Sequence, residues 1–139
     1  MVDAQNTVKK DKPVFRNIGL AQLIHYRLPW AGKVSILHRI SGAVLFLMLP
    51  FLLYLLDQSL ASELSYQTFQ AVTGHFLVKI VCLGLIWCFL HHFCAGIRYL
   101  LLDLEIGVEK SESNRSAIVV FILGLTLTAI VGFKLFGLY

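Results

Sequence analysis

Charged residues are scarce in this chain of 139 residues. Asp, Glu, Lys and Arg together make up 14% of it, whereas 58% of the residues are hydrophobic. A soluble domain of this size usually carries about 25% charged residues, because most of a small chain is surface. The mean hydropathy is +0.76. This composition excludes an ordinary soluble globule, a disordered chain and a free-standing nucleic-acid-binding protein, and it favours a membrane protein.

Cysteine is also sparse, and the three cysteines lie inside one apolar stretch at Cys82, Cys88 and Cys94. They form no CxxC pair, which argues against a disulfide framework and against a zinc site. The chain lacks a P-loop, a GxGxxG motif and a nucleophile elbow. It also has no extramembrane domain large enough to hold a soluble active site.

Three stretches contain no Asp, Glu, Lys or Arg, and they cover residues 40–56, 80–97 and 116–133. A helix needs about 20 mainly apolar residues to cross a bilayer, and flanking basic side chains can extend a shorter stretch by snorkelling. We therefore predict an all-α integral membrane protein. Its three transmembrane helices are expected at about 33–57, 72–103 and 115–137, in a domain over 33–139 that follows an amino-terminal segment over 1–32. Pro50 predicts a kink in the first helix.

The basic residues predict the orientation of the chain. Residues 1–39 hold seven of the twelve Lys and Arg, whereas the predicted first loop, about 57–71, has none. The positive-inside rule then places the amino terminus and the second loop in the cytoplasm, and the first loop and the carboxyl terminus on the periplasmic side. Asp3 and Asp11 interrupt the amino-terminal basic run, which is unlike a transit peptide. A bacterial inner membrane is therefore expected.

Four polar or small residues share one face of the first predicted helix. Ser35, His38, Arg39 and Gly42 stand at i, i+3, i+4 and i+7. A hydroxyl, an imidazole and a guanidinium can together bind a carbonyl or a carboxylate near the membrane surface. The alternative is that His38 and Arg39 anchor the helix among lipid headgroups, because basic residues are usual at the inner end of a transmembrane helix.

A second stripe lies on the second predicted helix, where His92, Gly96, Tyr99 and Asp103 stand at i, i+4, i+7 and i+11. A histidine inside a transmembrane helix is costly and marks a candidate functional site, and imidazole is a common ligand of haem iron. Gly96 would let a porphyrin lie close to the helix. The alternative is a hydrogen bond from His92 to a neighbouring helix. His91 points about 100° away, so the two imidazoles cannot bind one iron, and a second axial ligand should come from another chain.

The segments SILHRISG (35–42) and HFCAGIRYLLLD (92–103) resemble a known family in combination. They are similar to the cytochrome b membrane-anchor subunit of succinate dehydrogenase (respiratory complex II), the SdhC type. The family pattern is S-x-x-H-R-x-[ST]-G, followed by H-x-x-x-G-[IVL]-R-[HY] and an aspartate. Both halves match in order, and the likeness runs from about Lys12 to the end. Tyr99 stands where some members have histidine.

This resemblance implies a set of partners and cofactors. Family members pair with a second small membrane-anchor subunit, hold one haem b with it, and dock an iron–sulfur subunit and a flavoprotein subunit. Electrons from succinate then reach ubiquinone, so the anchor is part of a succinate:quinone oxidoreductase and is not catalytic alone. His92 corresponds to the axial haem ligand, Ser35 and Arg39 to quinone-site residues, and His38 and Arg39 to positions near the haem propionates. Two alternatives remain open: a fumarate reductase anchor, and a purely structural anchor without haem.

Overall fold

The computed structural model describes Gly19 and residues 26–137. These residues form five α-helices and no strand, which confirms the all-α prediction. The helices are α1 (Trp30–Leu47), α2 (Leu49–Leu60), α3 (Glu63–Gly74), α4 (Phe76–Asp103) and α5 (Lys110–Leu135). The predicted segment over 1–32 lies largely outside the described residues.

Two of these helices, α4 and α5, are each long and apolar enough to cross a membrane. The pair α1 and α2 meets the same criterion only when both are taken as one broken span. The described part of the chain therefore contains two candidate spans, and a third if the broken pair crosses as a unit. Each of the three predicted helices overlaps one of them.

The first span breaks at Met48, where the axes of α1 and α2 differ by 51°. Pro50 follows within the first turn of α2, and it has no N–H to donate to the carbonyl of Phe46. The predicted kink is confirmed. Because α2 leans away, its backbone does not closely approach α4 or α5. An apolar cavity of about 500 Å³ lies beside the break, lined by Leu45, Leu52, Cys82, Leu85, Ile86, Phe89, Leu90 and Val131.

The stretch 57–71 differs from the prediction, because it is helical rather than a loop. The helix α2 continues to Leu60, and α3 begins after Ser62. Ser62 Oγ accepts a hydrogen bond from the N–H of Ser65 at 3.1 Å, and Ser65 Oγ accepts one from the N–H of Ser62 at 2.9 Å. This reciprocal capping satisfies two amide groups at the start of α3. The following span, α4, therefore begins at Phe76 rather than at residue 72.

Small residues let α5 lie close against α4. Gly124, Thr128 and Gly132 form a buried stripe on α5. A Cβ atom added at Gly124 would lie 3.5 Å from the Cα of His91, which shows how closely the two backbones approach. Thr128 Oγ1 donates to the carbonyl of Gly124 at 2.7 Å, so its buried hydroxyl is satisfied within the helix.

The start of α1, the end of α4 and the start of α5 meet at one end of the bundle. The turn between α4 and α5 places Glu105 and Gly107 at positive φ, 61° and 74°. The N–H of Ala31 donates to Asn114 Oδ1 at 3.1 Å, which joins α1 to α5. Below this bond lies a buried apolar cluster formed by Val34, Cys94, Ala95, Ala117 and Val120. The two segments singled out in the sequence therefore face each other near this end.

Candidate functional site

His92 lies on α4 and turns its imidazole toward α1. Its Nδ1 is 3.0 Å from the carbonyl oxygen of His38 and 3.4 Å from Ser41 Oγ. A carbonyl oxygen only accepts hydrogen bonds, so Nδ1 carries the proton and Nε2 keeps its lone pair. Nε2 has no hydrogen-bond partner among the described residues. Histidines that bind metals have this arrangement, because the hydrogen bond at one nitrogen fixes the tautomer and ring orientation for the other.

The ring of His92 is held on further sides. The imidazole of His38 stacks on it, with 4.1 Å between the ring centroids and 11° between the planes. The ring of Tyr99 packs against His38 at 5.1 Å. Gly42 borders the edge of His92 so closely that an added Cβ would lie 2.8 Å from Cε1. Three groups of α1 therefore surround the ring of His92: the imidazole of His38, the carbonyl of His38 and the backbone of Gly42.

Gly96 lies beneath His38, because a Cβ atom added there would be 3.8 Å from His38 Nε2. From the sequence, a porphyrin was expected in the space beside Gly96. In the structure the imidazole of His38 occupies that space. The physical reason is that α1 packs directly against this face of α4, which spacing along one helix does not reveal.

Ser35 and Arg39 lie one turn apart on α1, as the spacing predicts. Ser35 is half-buried and Arg39 is exposed. Neither side chain forms a hydrogen bond or an ion pair with another residue in the described part of the chain. The structure thus divides the segment 35–42. His38 and Ser41 turn toward α4, whereas the hydroxyl of Ser35 and the guanidinium of Arg39 remain available to a ligand.

His91 points elsewhere, into the contact between α4 and α5. It is 0% exposed, stacks on Trp87 with 5.3 Å between centroids, and meets the edge of Phe121 at 6.4 Å. Neither ring nitrogen forms a hydrogen bond of normal geometry. Because His91 faces α5 and His92 faces α1, the two imidazoles cannot meet at one metal ion, as the sequence analysis inferred.

Arg98 is a buried polar residue whose role was not predicted from the sequence. The side chain is only 5% exposed. Its Nε donates to Ser116 Oγ at 2.8 Å, and its Nη2 donates to the carbonyl oxygen and the Oγ of Ser113 at 2.9 and 2.8 Å. Two serines three residues apart at the start of α5 were the available signal. Arg98 thus fastens the end of α4 to the start of α5.

Comparison with known proteins relates the chain to one family of membrane subunits. Residues 10–131 match the family model described as succinate dehydrogenase/fumarate reductase transmembrane subunit. The succinate dehydrogenase cytochrome b556 subunit of Coxiella burnetii is 34% identical over 111 residues, which cover 79% of this chain and 89% of that protein. The subunit of the same name from Paracoccus denitrificans is 29% identical over 92 residues, 66% and 71% of the two chains. That from Rickettsia felis is 28% identical over 103 residues, 74% and 80%.

Proposed function

Because this chain belongs to the family of succinate dehydrogenase/fumarate reductase transmembrane subunits, we propose that it anchors a succinate dehydrogenase in the bacterial inner membrane. In this proposal it holds haem b together with a second small anchor subunit and contributes to the ubiquinone-reduction site. It docks the iron–sulfur and flavoprotein subunits and is not catalytic alone. The observation that carries the proposal is the hydrogen bond from His92 Nδ1 to the carbonyl of His38, which leaves Nε2 for iron.

The residues present fit a haem. His92 offers a neutral imidazole nitrogen on a fixed ring, and imidazole is a common ligand of haem iron. A bound haem supplies one-electron chemistry. The protein's part is to hold the iron ligand in one tautomer between α1 and α4. A second ligand to the iron would come from the partner anchor in this proposal, because His91 faces α5.

Ser35 and Arg39 are proposed to bind the quinone. A serine hydroxyl donates a hydrogen bond to a quinone carbonyl, and a guanidinium stabilises the negative charge that develops on its oxygens. Ser35 precedes Ser41 by six residues, or roughly 9 Å of helix, so the quinone would bind closer to the membrane surface than the ring of His92. His38 and Arg39 stand between the two and are proposed to lie near the haem propionates.

Docking of the soluble redox subunits is proposed at the end of the bundle where α1 begins. The basic residues Lys33 and Lys110 lie in the first turns of α1 and α5, and the positive-inside rule makes this end cytoplasmic. The Ala31–Asn114 bond supports the arrangement, because it brings the starts of α1 and α5 to the same end. Electrons delivered there would meet the quinone site first.

The test is the visible spectrum of the complex purified with its native partners. We expect a low-spin haem b signal in the wild type, its loss or strong perturbation in His92→Ala, and its retention in His91→Ala. A wild-type complex without haem would instead support a purely structural anchor. Loss of the signal in His91→Ala, with an unchanged spectrum in His92→Ala, would show that His91 rather than His92 binds the iron.

The family model also covers fumarate reductase anchors. The named relatives, however, are cytochrome b556 subunits of succinate dehydrogenase, which favours succinate oxidation as the physiological direction. Measuring the succinate–ubiquinone reductase and quinol–fumarate reductase activities of one preparation distinguishes a succinate dehydrogenase anchor from a fumarate reductase anchor. A complex that runs only the second reaction would overturn the proposed direction.

A further inference from the structure

Gly42 is the one described glycine at which a methyl group would collide with a ring. An added Cβ would lie 2.8 Å from Cε1, 3.2 Å from Nδ1 and 3.8 Å from Nε2 of His92. Real Cβ atoms essentially never approach a heavy atom within 3.0 Å. By contrast, a Cβ added at Gly84, on the same helix as His92, would have no neighbour within 4 Å. Gly42 therefore differs sharply from a glycine that merely lies in a transmembrane helix.

The ring of His92 has little freedom to move away from such a methyl group. One face is stacked on His38, and Nδ1 is held by the carbonyl of His38 at 3.0 Å. That carbonyl also accepts a hydrogen bond from Ser41 Oγ at 2.9 Å. Ser41 itself is 1% exposed. To relieve the collision, α1 would have to retreat from α4, and the bond at Nδ1 would then lengthen.

We infer that Gly42 is the positioning residue for the axial histidine. Its bare Cα lets α1 come close enough for the carbonyl of His38 to bind the Nδ1–H of His92. This bond fixes the tautomer and turns Nε2 away from the protein as the ligand nitrogen. The role of His92 as iron ligand rests on the proposed function. The contact between Gly42 and His92 does not depend on it, because the structure shows this contact between two residues of the same chain.

The first experiment compares Gly42→Ala with the matched control Gly84→Ala in the complete complex. Assembly is measured as flavin bound to membranes and as succinate oxidation with an artificial acceptor that draws electrons from the soluble subunits. We expect Gly42→Ala to lose the low-spin haem spectrum or to shift its bands, and Gly84→Ala to keep the wild-type spectrum. An assembled Gly42→Ala complex with an unchanged haem spectrum and midpoint potential would overturn the inference.

The second experiment is a double-mutant cycle read as the thermal midpoint of the complex, which needs no haem. If Gly42 matters because of the ring of His92, then Gly42→Ala lowers the midpoint in the wild-type background and has no further effect in the His92→Ala background. An equal loss in both backgrounds would show that Gly42 packs against something else, and the inference would fail. A wild-type complex without haem would refute the proposed function, and the cycle would still test the contact.

Discussion

Replacing Arg98 by methionine should loosen the contact between α4 and α5 at the end where the quinone site is proposed. Methionine keeps much of the length of the side chain but removes the guanidinium and its three hydrogen bonds to Ser113 and Ser116. No carboxylate pairs with Arg98 in the described structure. The change therefore breaks bonds to neutral groups and leaves no opposite charge unpaired.

The magnitude follows from these three bonds. A hydrogen bond to a charged group contributes about 1.5–3 kcal/mol, and bonds to one group are not additive. Burying a guanidinium that is only 5% exposed costs several kcal/mol, which offsets much of the gain. We therefore expect Arg98→Met to make local separation of α4 and α5 easier by roughly 2–4 kcal/mol. Since each 1.4 kcal/mol is tenfold, the open population should rise roughly 30- to 700-fold.

Cys94 reports on this opening, because it lies one turn before Arg98 in the buried cluster with α5. Its thiol can react with a membrane-permeant maleimide only after the helices separate. The rate is measured in the assembled complex, on a background in which Cys82 and Cys88 are alanine. The matched control is Arg115→Met, which removes an exposed basic side chain with no bonding partner in the structure. We expect the control to change the rate by less than about threefold, as surface substitutions usually contribute within 0.5 kcal/mol.

Equal labelling rates for the wild type and Arg98→Met would refute the reasoning. So would an increase that matches the one caused by Arg115→Met, because the effect would then come from net charge rather than from buried hydrogen bonds. Double substitution of Ser113 and Ser116 by alanine provides a further check. In the Arg98→Met background it should change the labelling rate little, since the guanidinium that binds both serines is already gone.

Ser35→Ala and Arg39→Leu should slow quinone reduction, Arg39→Leu by about ten- to a hundredfold, because a lost charge-assisted contact costs about 1.5–3 kcal/mol. Succinate oxidation with an artificial acceptor should persist, and normal inhibitor sensitivity in Arg39→Leu would remove it from the site. Gly124→Ala should leave the thermal midpoint of the complex near that of the wild type, whereas Gly124→Val should lower it by overpacking worth about 1–3 kcal/mol against the backbone of His91. A single cysteine at Ser62 should react with an impermeant reagent added outside intact cells, and one at Ser111 only after permeabilisation; the reverse pattern would invert the topology.

The positions of the long helices could be predicted from the sequence because three stretches of 17–18 residues lack charge, and uncharged stretches of about this length cross a bilayer as helices. The kink could also be predicted, since Pro50 lacks a backbone donor. The helix α3 could not. Its polar residues show no clear apolar period, and its start depends on two serines, Ser62 and Ser65, that bond to each other's backbone. The usual capping signature has a glutamate or glutamine three residues after the first serine or threonine, where this chain has Ser65.

The residues of the candidate site could be named from their spacing and from the resemblance, but their surroundings could not. Spacing on α4 places His92 and Gly96 on one stripe, yet only the packing of α1 shows that His38 fills the space beside Gly96. Arg98 is a similar case. A basic residue near a helix end is usually solvated or at the lipid headgroups, and its burial follows from two hydroxyls of the next helix. Such contacts could not be predicted from spacing along one helix, because they join residues on different helices.

The bond between Ala31 and Asn114 joins residues 83 positions apart, whereas α4 and α5 are linked by a turn of six residues, 104–109. Closing the short turn costs little chain entropy, so α4 and α5 can pair as soon as both are made. The first span can form its contacts with α4 and α5 only after those helices have been synthesised. At a synthesis rate of roughly 5–20 residues per second, about 4–17 seconds separate the two ends of the Ala31–Asn114 bond. For the first part of that time, the roughly 3–11 seconds in which the 54 residues from His38 to His92 are added, His38 and Ser41 lack their partner on α4. The contacts of the first span thus depend on sequence that is translated later, and slowing synthesis between the first span and α4 should reduce assembly more than slowing it between α4 and α5.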